Sequence, residues 1–299
     1  MFPPHEIRLL KQKSDEGSAL HQNELGKIYA SGRFFQKKLD EAIKYFELSA
    51  AQDFPEAYYN LFVAYLKDPD GPKDEIKGLE YLFKSAELKC LMALNQLGYS
   101  YQHGMYVKKD LTKAVAYFSE AAEAGFSHAQ HNLGTLYMTG EGVPIDHTLA
   151  FSWFEKAANQ GLPMSMFNLG ELYYYGWGCD PDVDKAIELF TKASNQGHPM
   201  ALYVLGTIYF EGAGVTEDKE KGLNYYILAA DRGSGEACFA LASIFENGLH
   251  APKDMAKALS YYTRAARCGF SEALDHIERL KNATEAADRE QKPTKPLLH

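Results

Sequence analysis

The chain has 299 residues, of which 46% are hydrophobic and 24% are charged, and its formal net charge is −9. This composition is sufficient to bury a core and excludes an intrinsically disordered polymer. The acidic balance argues against a nucleic-acid-binding surface, because phosphate contacts require clustered lysine and arginine side chains.

The first residues, 1–6, show neither the basic start nor the apolar core of a secretory signal. No stretch approaches the roughly 20 consecutive apolar residues that a membrane span needs. We therefore expect a cytoplasmic protein with no direct membrane insertion. The four cysteines form no CxxC pair and share no position in the repeat described below, so we expect reduced thiols at Cys90, Cys179, Cys238 and Cys268.

A leucine recurs every 36 residues, with no insertion or deletion, at Leu25, Leu61, Leu97, Leu133, Leu169, Leu205 and Leu241. A period of that size indicates a solenoid built of helix pairs. Although the length alone would suggest about two domains, the unbroken register predicts one array over residues 18–270. We name the two helices of each repeat A and B, and count positions from the leucine of helix A.

Before the array, residues 1–17 are predicted to form an N-terminal capping helix. Pro3 and Pro4 can begin a helix, and Ile7, Leu9 and Leu10 fall in register with the aromatic pair of helix B. The segment therefore corresponds to half a repeat.

Helix A carries small and aromatic residues at fixed distances from the leucine. An alanine four residues before it and a tyrosine four residues after it lie on the same helical face. A glycine usually follows the leucine although glycine costs helix stability, which implies that a neighbouring helix approaches too closely for a side chain. A glycine seven residues after the leucine predicts a left-handed C-terminal cap, at Gly32, Gly104, Gly140, Gly176, Gly212 and Gly248.

Helix B is expected to begin after an aspartate thirteen residues beyond the leucine. Aspartate ahead of an apolar-periodic run is a preferred N-cap, and it occurs at Asp74, Asp110, Asp146, Asp182, Asp218 and Asp254. A small residue, usually two adjacent aromatics, Ala-Ala and a terminal glycine follow. The aromatic side chains are expected to fill the volume between helices.

After the array, residues 271–281 are predicted to form a C-terminal capping helix, because Ala273 and Ile277 occupy the alanine and leucine positions of helix A. Residues 282–299 lose the pattern and are predicted to be disordered.

The repeat consists of Ala-x-x-x-Leu-Gly-x-x-Tyr-x-x-Gly-x-Gly-Val, followed by Asp, Lys-Ala, the aromatic pair, Ala-Ala and Gly. This pattern resembles the Sel-one-like repeat family, relatives of the tetratricopeptide repeats. The resemblance implies an all-α fold, a right-handed α/α superhelical solenoid of about seven 36-residue helix-turn-helix repeats with half-repeat caps. It also implies that the A helices line a concave groove. The second repeat departs from the pattern, because Phe62 replaces the glycine and residues 66–72 replace the glycine-rich loop. We expect local irregularity there.

Motifs of catalysis are missing from the sequence: no GxSxG, HExxH, Walker or GxGxxG pattern occurs. We therefore predict no catalytic residues and no cofactor. The nearest metal-like spacing is that of His128 and His131, with His103 one repeat earlier. A zinc site needs a third and a fourth ligand, so we interpret these histidines as a polar surface and predict no metal.

At 100° per residue, positions −5, −2, +2, +5 and +6 of helix A lie opposite the leucine. In repeats three to six these positions are unusually apolar and aromatic for solvent-exposed positions, as in binding surfaces. Part of these side chains would instead pack between neighbouring A helices. We predict a partner-binding surface that comprises Met92, Asn95, Tyr99, His103, His128, His131, Met138, Met164, Phe167, Glu171, Tyr174, Tyr175, Met200, Tyr203 and Phe210; Thr207 and Glu211 share the face.

These features favour a non-enzymatic adaptor or scaffold that binds a protein or peptide in the groove of the A helices. Two alternatives are a hydrolase or metal-binding enzyme on the same fold, and a component of a membrane-associated protein quality-control complex. The sequence identifies neither the partner nor the oligomeric state.

Overall fold

The computed structural model describes residues 4–32, 34 and 36–290, and this part of the chain contains sixteen α-helices, one π-helical segment and no strand. The all-α class and the helix-turn-helix repeats predicted from the sequence are confirmed. The chain divides into two compact units, Met1–Ala157 and Ala158–His299.

The described part of the first unit contains eight α-helices: α1 (Pro4–Asp15), α2 (Ala19–Ser31), α3 (Leu39–Ala50), α4 (Pro55–Phe62), α5 (Glu75–Glu87), α6 (Leu91–His103), α7 (Leu111–Glu123) and α8 (Ser127–Thr139). It also contains most of a ninth, α9 (His147–Asn159). From α2 onward, even-numbered helices are A helices and odd-numbered helices are B helices. Helix α1 packs on α2, at the position where the sequence predicts a capping helix.

The second unit continues the alternation with α10 (Pro163–Tyr175), α11 (Val183–Asn195), α12 (Pro199–Glu211), α13 (Lys219–Asp231), α14 (Gly235–Asn247), α15 (Met255–Arg267) and α16 (Ala273–Glu290). Each A helix of this unit packs on the B helix of its own repeat, and α16 packs on α15.

Both predicted kinds of helix cap are present. All six glycines at position +7 adopt the left-handed conformation, with φ between 63° and 75°. The six aspartates each accept a hydrogen bond from the backbone amide three residues later, at 2.9–3.1 Å. These caps satisfy backbone groups that a helix end otherwise leaves unpaired.

The glycine after the leucine lies against an aromatic ring of helix B. A Cβ atom placed on it would lie 2.6–2.9 Å from that ring, in the pairs Gly26/Phe46, Gly98/Phe118, Gly134/Phe154, Gly170/Phe190 and Gly206/Tyr226. Such distances are shorter than real Cβ contacts. The close helix approach inferred from the recurring glycine is therefore confirmed, and the ring seals the interface between helices A and B.

The second repeat exchanges the two partners of this contact. Phe62 stands in the glycine position of α4 and is fully buried, while Leu82 replaces the ring on α5. A π-helical segment, Val63–Lys67, follows α4. The irregularity expected from the sequence is present, and it accompanies the transfer of a large side chain from helix B to helix A.

The last helix is longer than predicted. Helix α16 continues to Glu290, so the predicted start of disorder at residue 282 is wrong. The packing pattern stops near 281, but the next residues are rich in alanine and glutamate and contain no glycine or proline, a composition that favours helix. The rest of the predicted tail, residues 291–299, lies outside the described residues.

Within the described part of the chain, no helix has both the length and the apolar character that a membrane crossing requires.

Replacing Gly98 by alanine should destabilise the protein. The new methyl group would meet the buried Phe118 ring at 2.6 Å, and overpacking of this kind costs about 1–3 kcal/mol, of which the better helix propensity of alanine offsets at most about 1 kcal/mol. Urea denaturation followed by circular dichroism should show a lower midpoint than for wild type. Thr112→Ala, on the exposed face of α7, serves as the control and should change the free energy of unfolding by no more than about 0.5 kcal/mol. Equal stability of Gly98→Ala and wild type would contradict the sealed interface.

Candidate binding surface on the A helices

The side chains at position −2 lie closer to helix B than the helical angles predicted. In repeats four to six they contact the helix B ring that faces the glycine of their own repeat, with ring centroids 5.5 Å apart for His131/Phe154, 5.5 Å for Phe167/Phe190 and 5.7 Å for Tyr203/Tyr226. Helical side chains lean towards the N-terminus, and this lean brings them over the ring. Position −2 therefore belongs partly to the interface within the repeat.

Phe167 illustrates the consequence. It is only 8% exposed and also stacks on His198, with the ring centroids 4.7 Å apart. The expectation that Phe167 lies on the exposed face is therefore wrong. Burial lowers the pKa of His198, which is consistent with a neutral imidazole packed on this ring.

In the first unit, Asn95 joins neighbouring A helices. Its side-chain oxygen accepts a hydrogen bond of 2.8 Å from the Asn132 amide of α8. Asn23 and Asn60 form the same contact two repeats earlier, also at 2.8 Å. Asn95 is thus occupied in packing between repeats, while Met92 and Met138 are half-buried.

The three predicted histidines do not come together as a metal-binding group. His103 stacks on Tyr99 with centroids 4.1 Å apart, and its Nδ1 lies 3.0 Å from the Tyr99 carbonyl oxygen. His128 packs beside Phe126, and His131 faces helix B as described above. Among the described residues, no group of three or more histidine, cysteine, aspartate or glutamate side chains could hold a metal ion.

In the second unit, four predicted residues come together around one pocket. The pocket lies between α10 and α12, has a volume of about 180 Å³, and is lined by Glu171, Tyr174, Tyr175, Phe190, Tyr203, Val204, Thr207 and Ile208. Phe190 of α11, which is buried, also seals the contact with Gly170. We call this site the Glu171 pocket.

The walls of the Glu171 pocket are held by neighbouring side chains. The rings of Tyr174 and Tyr175 are perpendicular, with centroids 5.0 Å apart. Tyr203 packs on Tyr226 of α13, whose hydroxyl lies 3.1 Å from Thr207 Oγ1. The pocket is therefore bounded by aromatic surfaces that are packed from behind.

Glu171 is the charged group of the pocket. It is half-buried, and nothing in the described part of the chain forms a hydrogen bond or an ion pair with its carboxylate. Burial raises the pKa of Glu171. The pKa of Tyr174 is raised mainly by burial and, secondarily, by electrostatic interaction with the Tyr175 hydroxyl and the exposed Glu211. The electrostatic character of the pocket is therefore negative.

Trp177 belongs to this surface, although helical angles did not identify it. Its ring stacks on Tyr175 with centroids 4.8 Å apart, and the two side chains are 43% and 56% exposed. Trp177 follows α10 in a loop, between two glycines, where the corresponding residues are Glu141 and Ala213. The sequence did contain a signal for Trp177, because an aromatic residue occupies a loop position that is Glu or Ala in the neighbouring repeats.

Three further predicted residues of the second unit, Met164, Met200 and Phe210, do not line the pocket. Met164 is exposed and Met200 is half-buried. Phe210 packs on Tyr226 and on His250, with centroids 5.7 and 5.4 Å away. It is thus engaged in packing and does not line the Glu171 pocket.

Comparison with known proteins agrees with the helix-pair repeats. The Sel1 repeat model matches seven consecutive segments, residues 22–54, 55–90, 91–126, 127–162, 163–198, 199–234 and 235–270. A search among curated proteins finds no match.

Solved structures of repeat proteins are similar to this chain. The crystal structure of c5321, a protective antigen of uropathogenic Escherichia coli strains with an SLR fold, is 32% identical with a TM-score of 0.76. The match covers 92% of this chain and 59% of that one, so this chain spans about three fifths of its length. A Sel1 repeat protein from Oxalobacter formigenes is 28% identical, with a TM-score of 0.71, and the match covers 92% and 79% of the two chains.

A third structure supports the fold alone. The immunity protein PA5088 from Pseudomonas aeruginosa is 22% identical with a TM-score of 0.50, and the match covers 72% of this chain and 81% of that one.

Replacing Glu171 by glutamine should raise the unfolding temperature at neutral pH. Because the pKa of Glu171 is higher in the folded state, the folded protein binds more protons than the unfolded chain between the two pKa values, and stability falls as the pH rises through that window. Glutamine lacks this penalty, and each kcal/mol recovered should add about 2–4 °C. The advantage should vanish as the pH falls below the ordinary glutamate pKa of about 4.3.

Thermal denaturation of both proteins between about pH 4 and pH 8 measures this difference. Glu188→Gln is the matched control, because Glu188 is an exposed acid of α11 that pairs with Lys192, and it should give no gain. A Glu171→Gln variant less stable than wild type at neutral pH would show that the carboxylate is satisfied in the folded protein.

Proposed function

The chain belongs to the Sel1 repeat family, and we propose that it is a non-enzymatic adaptor. In this proposal it holds a segment of a partner protein on its A helices. Sel1 repeats generally mediate protein interactions. The observation that carries the proposal is the Glu171 pocket together with the adjacent Tyr175–Trp177 stack. Exposed tyrosine and tryptophan side chains beside a pocket are the usual anchors of protein interfaces.

The contact surface we propose lies on the second unit. Tyr175 and Trp177 offer exposed aromatic faces, and Tyr174 and Tyr203 form the adjoining pocket. The aromatic side chains lose little conformational freedom on binding, because they already stack or pack on one another. Preorganisation of this kind lowers the entropic cost of binding a segment that places one side chain in the pocket.

A second groove offers a rival surface in the first unit. It has a volume of about 940 Å³ and runs along α5 and α7. Ile76 is 75% exposed there, and Phe83 lies beside it. Charged side chains border this groove, including the ion pair of Lys89 and Glu120 at 2.5 Å. The surface of the second unit is favoured, because tryptophan and tyrosine are enriched among the residues that carry binding energy and both Tyr175 and Trp177 are exposed there.

No observation among the described residues favours the hydrolase, the metal-binding enzyme or the quality-control component as an alternative.

Peptides selected from a random display library on the full chain should depend on the aromatic surface of the second unit. The double variant Tyr175→Ser/Trp177→Ser should weaken their binding at least about tenfold, which corresponds to about 1.4 kcal/mol. Both side chains are exposed, so the variant should keep the wild-type circular dichroism spectrum. Affinities can be measured by fluorescence polarisation of labelled peptides.

The matched control is Ile76→Ser/Phe83→Ser, which removes two exposed apolar side chains from α5. It should leave peptide affinity unchanged. If the α5 variant loses binding and the Tyr175/Trp177 variant retains it, the partner surface lies on the first unit and our assignment is wrong.

A further inference from the structure

We infer that the Glu171 pocket receives a basic side chain, lysine or arginine, from the bound segment, an inference that rests on the proposed function and adds the chemistry of its central anchor. Three tyrosines and one carboxylate line the pocket. Aromatic faces and a carboxylate both attract cations.

The half-buried carboxylate of Glu171 has no hydrogen-bond or ion-pair partner among the described residues. Removing a charged group from water is unfavourable unless a counter-charge or hydrogen bonds replace the water. No described lysine or arginine pairs with Glu171. Lys219 of α13 is itself engaged, because its ammonium donates to the Phe210 carbonyl oxygen and pairs with Glu217. A cation from outside the chain would supply the missing interaction.

The same unit contains a carboxylate in which this requirement is met. Glu246 of α14 is 8% exposed and accepts a hydrogen bond of 2.9 Å from the Tyr262 hydroxyl. Arg279 of α16 donates to its other oxygen at 2.5 Å, and His276 Nδ1 lies 3.6 Å away. A buried acid of one A helix is thus paired with basic groups of the next A helix. A bound segment would do at Glu171 what α16 does at Glu246.

Size and charge limit which side chain fits. The pocket volume of about 180 Å³ is below the roughly 300–1,000 Å³ of sites for drug-sized ligands, so it suits one side chain. An acidic side chain would be repelled by Glu171 and by the exposed Glu211. A neutral apolar chain would remove more water from Glu171 without pairing it. The expected order of affinity is therefore basic, then neutral, then acidic.

The test uses side-chain probes on the full chain, with binding followed by NMR of the tyrosine rings. The probes are N-acetyl-lysine N-methylamide, the arginine analogue and the neutral norleucine analogue. We expect the lysine or arginine probe to shift the tyrosine signals saturably and to bind at least tenfold more tightly than norleucine. Glu171→Gln should abolish that preference, and it should fold because it removes an unpaired charge from a half-buried position. Glu188→Gln removes one negative charge from α11 outside the pocket and should leave the preference intact.

Two results would overturn the inference without touching the proposed function. Equal binding of the norleucine and lysine probes would show that the pocket does not select for charge. Retention of the lysine preference in Glu171→Gln would show that another acid provides it. Conversely, a lysine preference that depends on Glu171, with selected peptides indifferent to Tyr175→Ser/Trp177→Ser, would support the pocket chemistry and refute the proposed peptide surface.

Discussion

The fold depends on the contact between a glycine of helix A and a ring of helix B. A Cβ atom in the place of the glycine hydrogen would lie 2.6–2.9 Å from the ring in five repeats. The contact brings the two helices together and buries the ring. Burial of an aromatic ring contributes a large apolar surface to the core and so stabilises the fold. The second repeat exchanges the large and the small side chain between the two helices. Phe62 on helix A replaces the glycine, and Leu82 on helix B replaces the ring. The requirement is thus a small residue facing a large one, whichever helix carries each.

Because this contact and the caps specify the repeat, the opposite side of helix A is free to vary. Positions +2, +5 and +6 carry Glu171, Tyr174 and Tyr175 in the fifth repeat, where they meet the sixth repeat in a pocket. The charge in that pocket is what distinguishes it. Glu246 is neutralised within the fold by Arg279, whereas Glu171 has no such partner among the described residues. In our proposal, the stability that this burial costs is recovered when a cation binds, which couples binding to an unfavourable feature of the free protein.

The periodic features of the fold were predictable, because each follows from one local rule repeated along the chain. The aspartate caps and the left-handed glycines are properties of the chain around a helix end and need no knowledge of neighbours. Phe167 was misplaced because a helical wheel treats a helix in isolation, whereas the facing Phe190 ring captures the side chain. Trp177 was missed because it lies in a loop, to which helical angles do not apply. The pocket shared by Glu171 and Tyr203 was not predicted, because it depends on how α10 and α12 are placed side by side. A pattern within a single helix does not contain this information.

The most direct test of the central claim is a crystal structure of the full chain with a selected peptide that contains lysine or arginine. The account predicts that a basic side chain enters the Glu171 pocket, with its nitrogen about 2.7–2.9 Å from a carboxylate oxygen and with the peptide passing over Tyr175 and Trp177. A peptide bound along the groove of α5 and α7, or one that places an apolar side chain in the pocket and leaves the carboxylate unpaired, would contradict it.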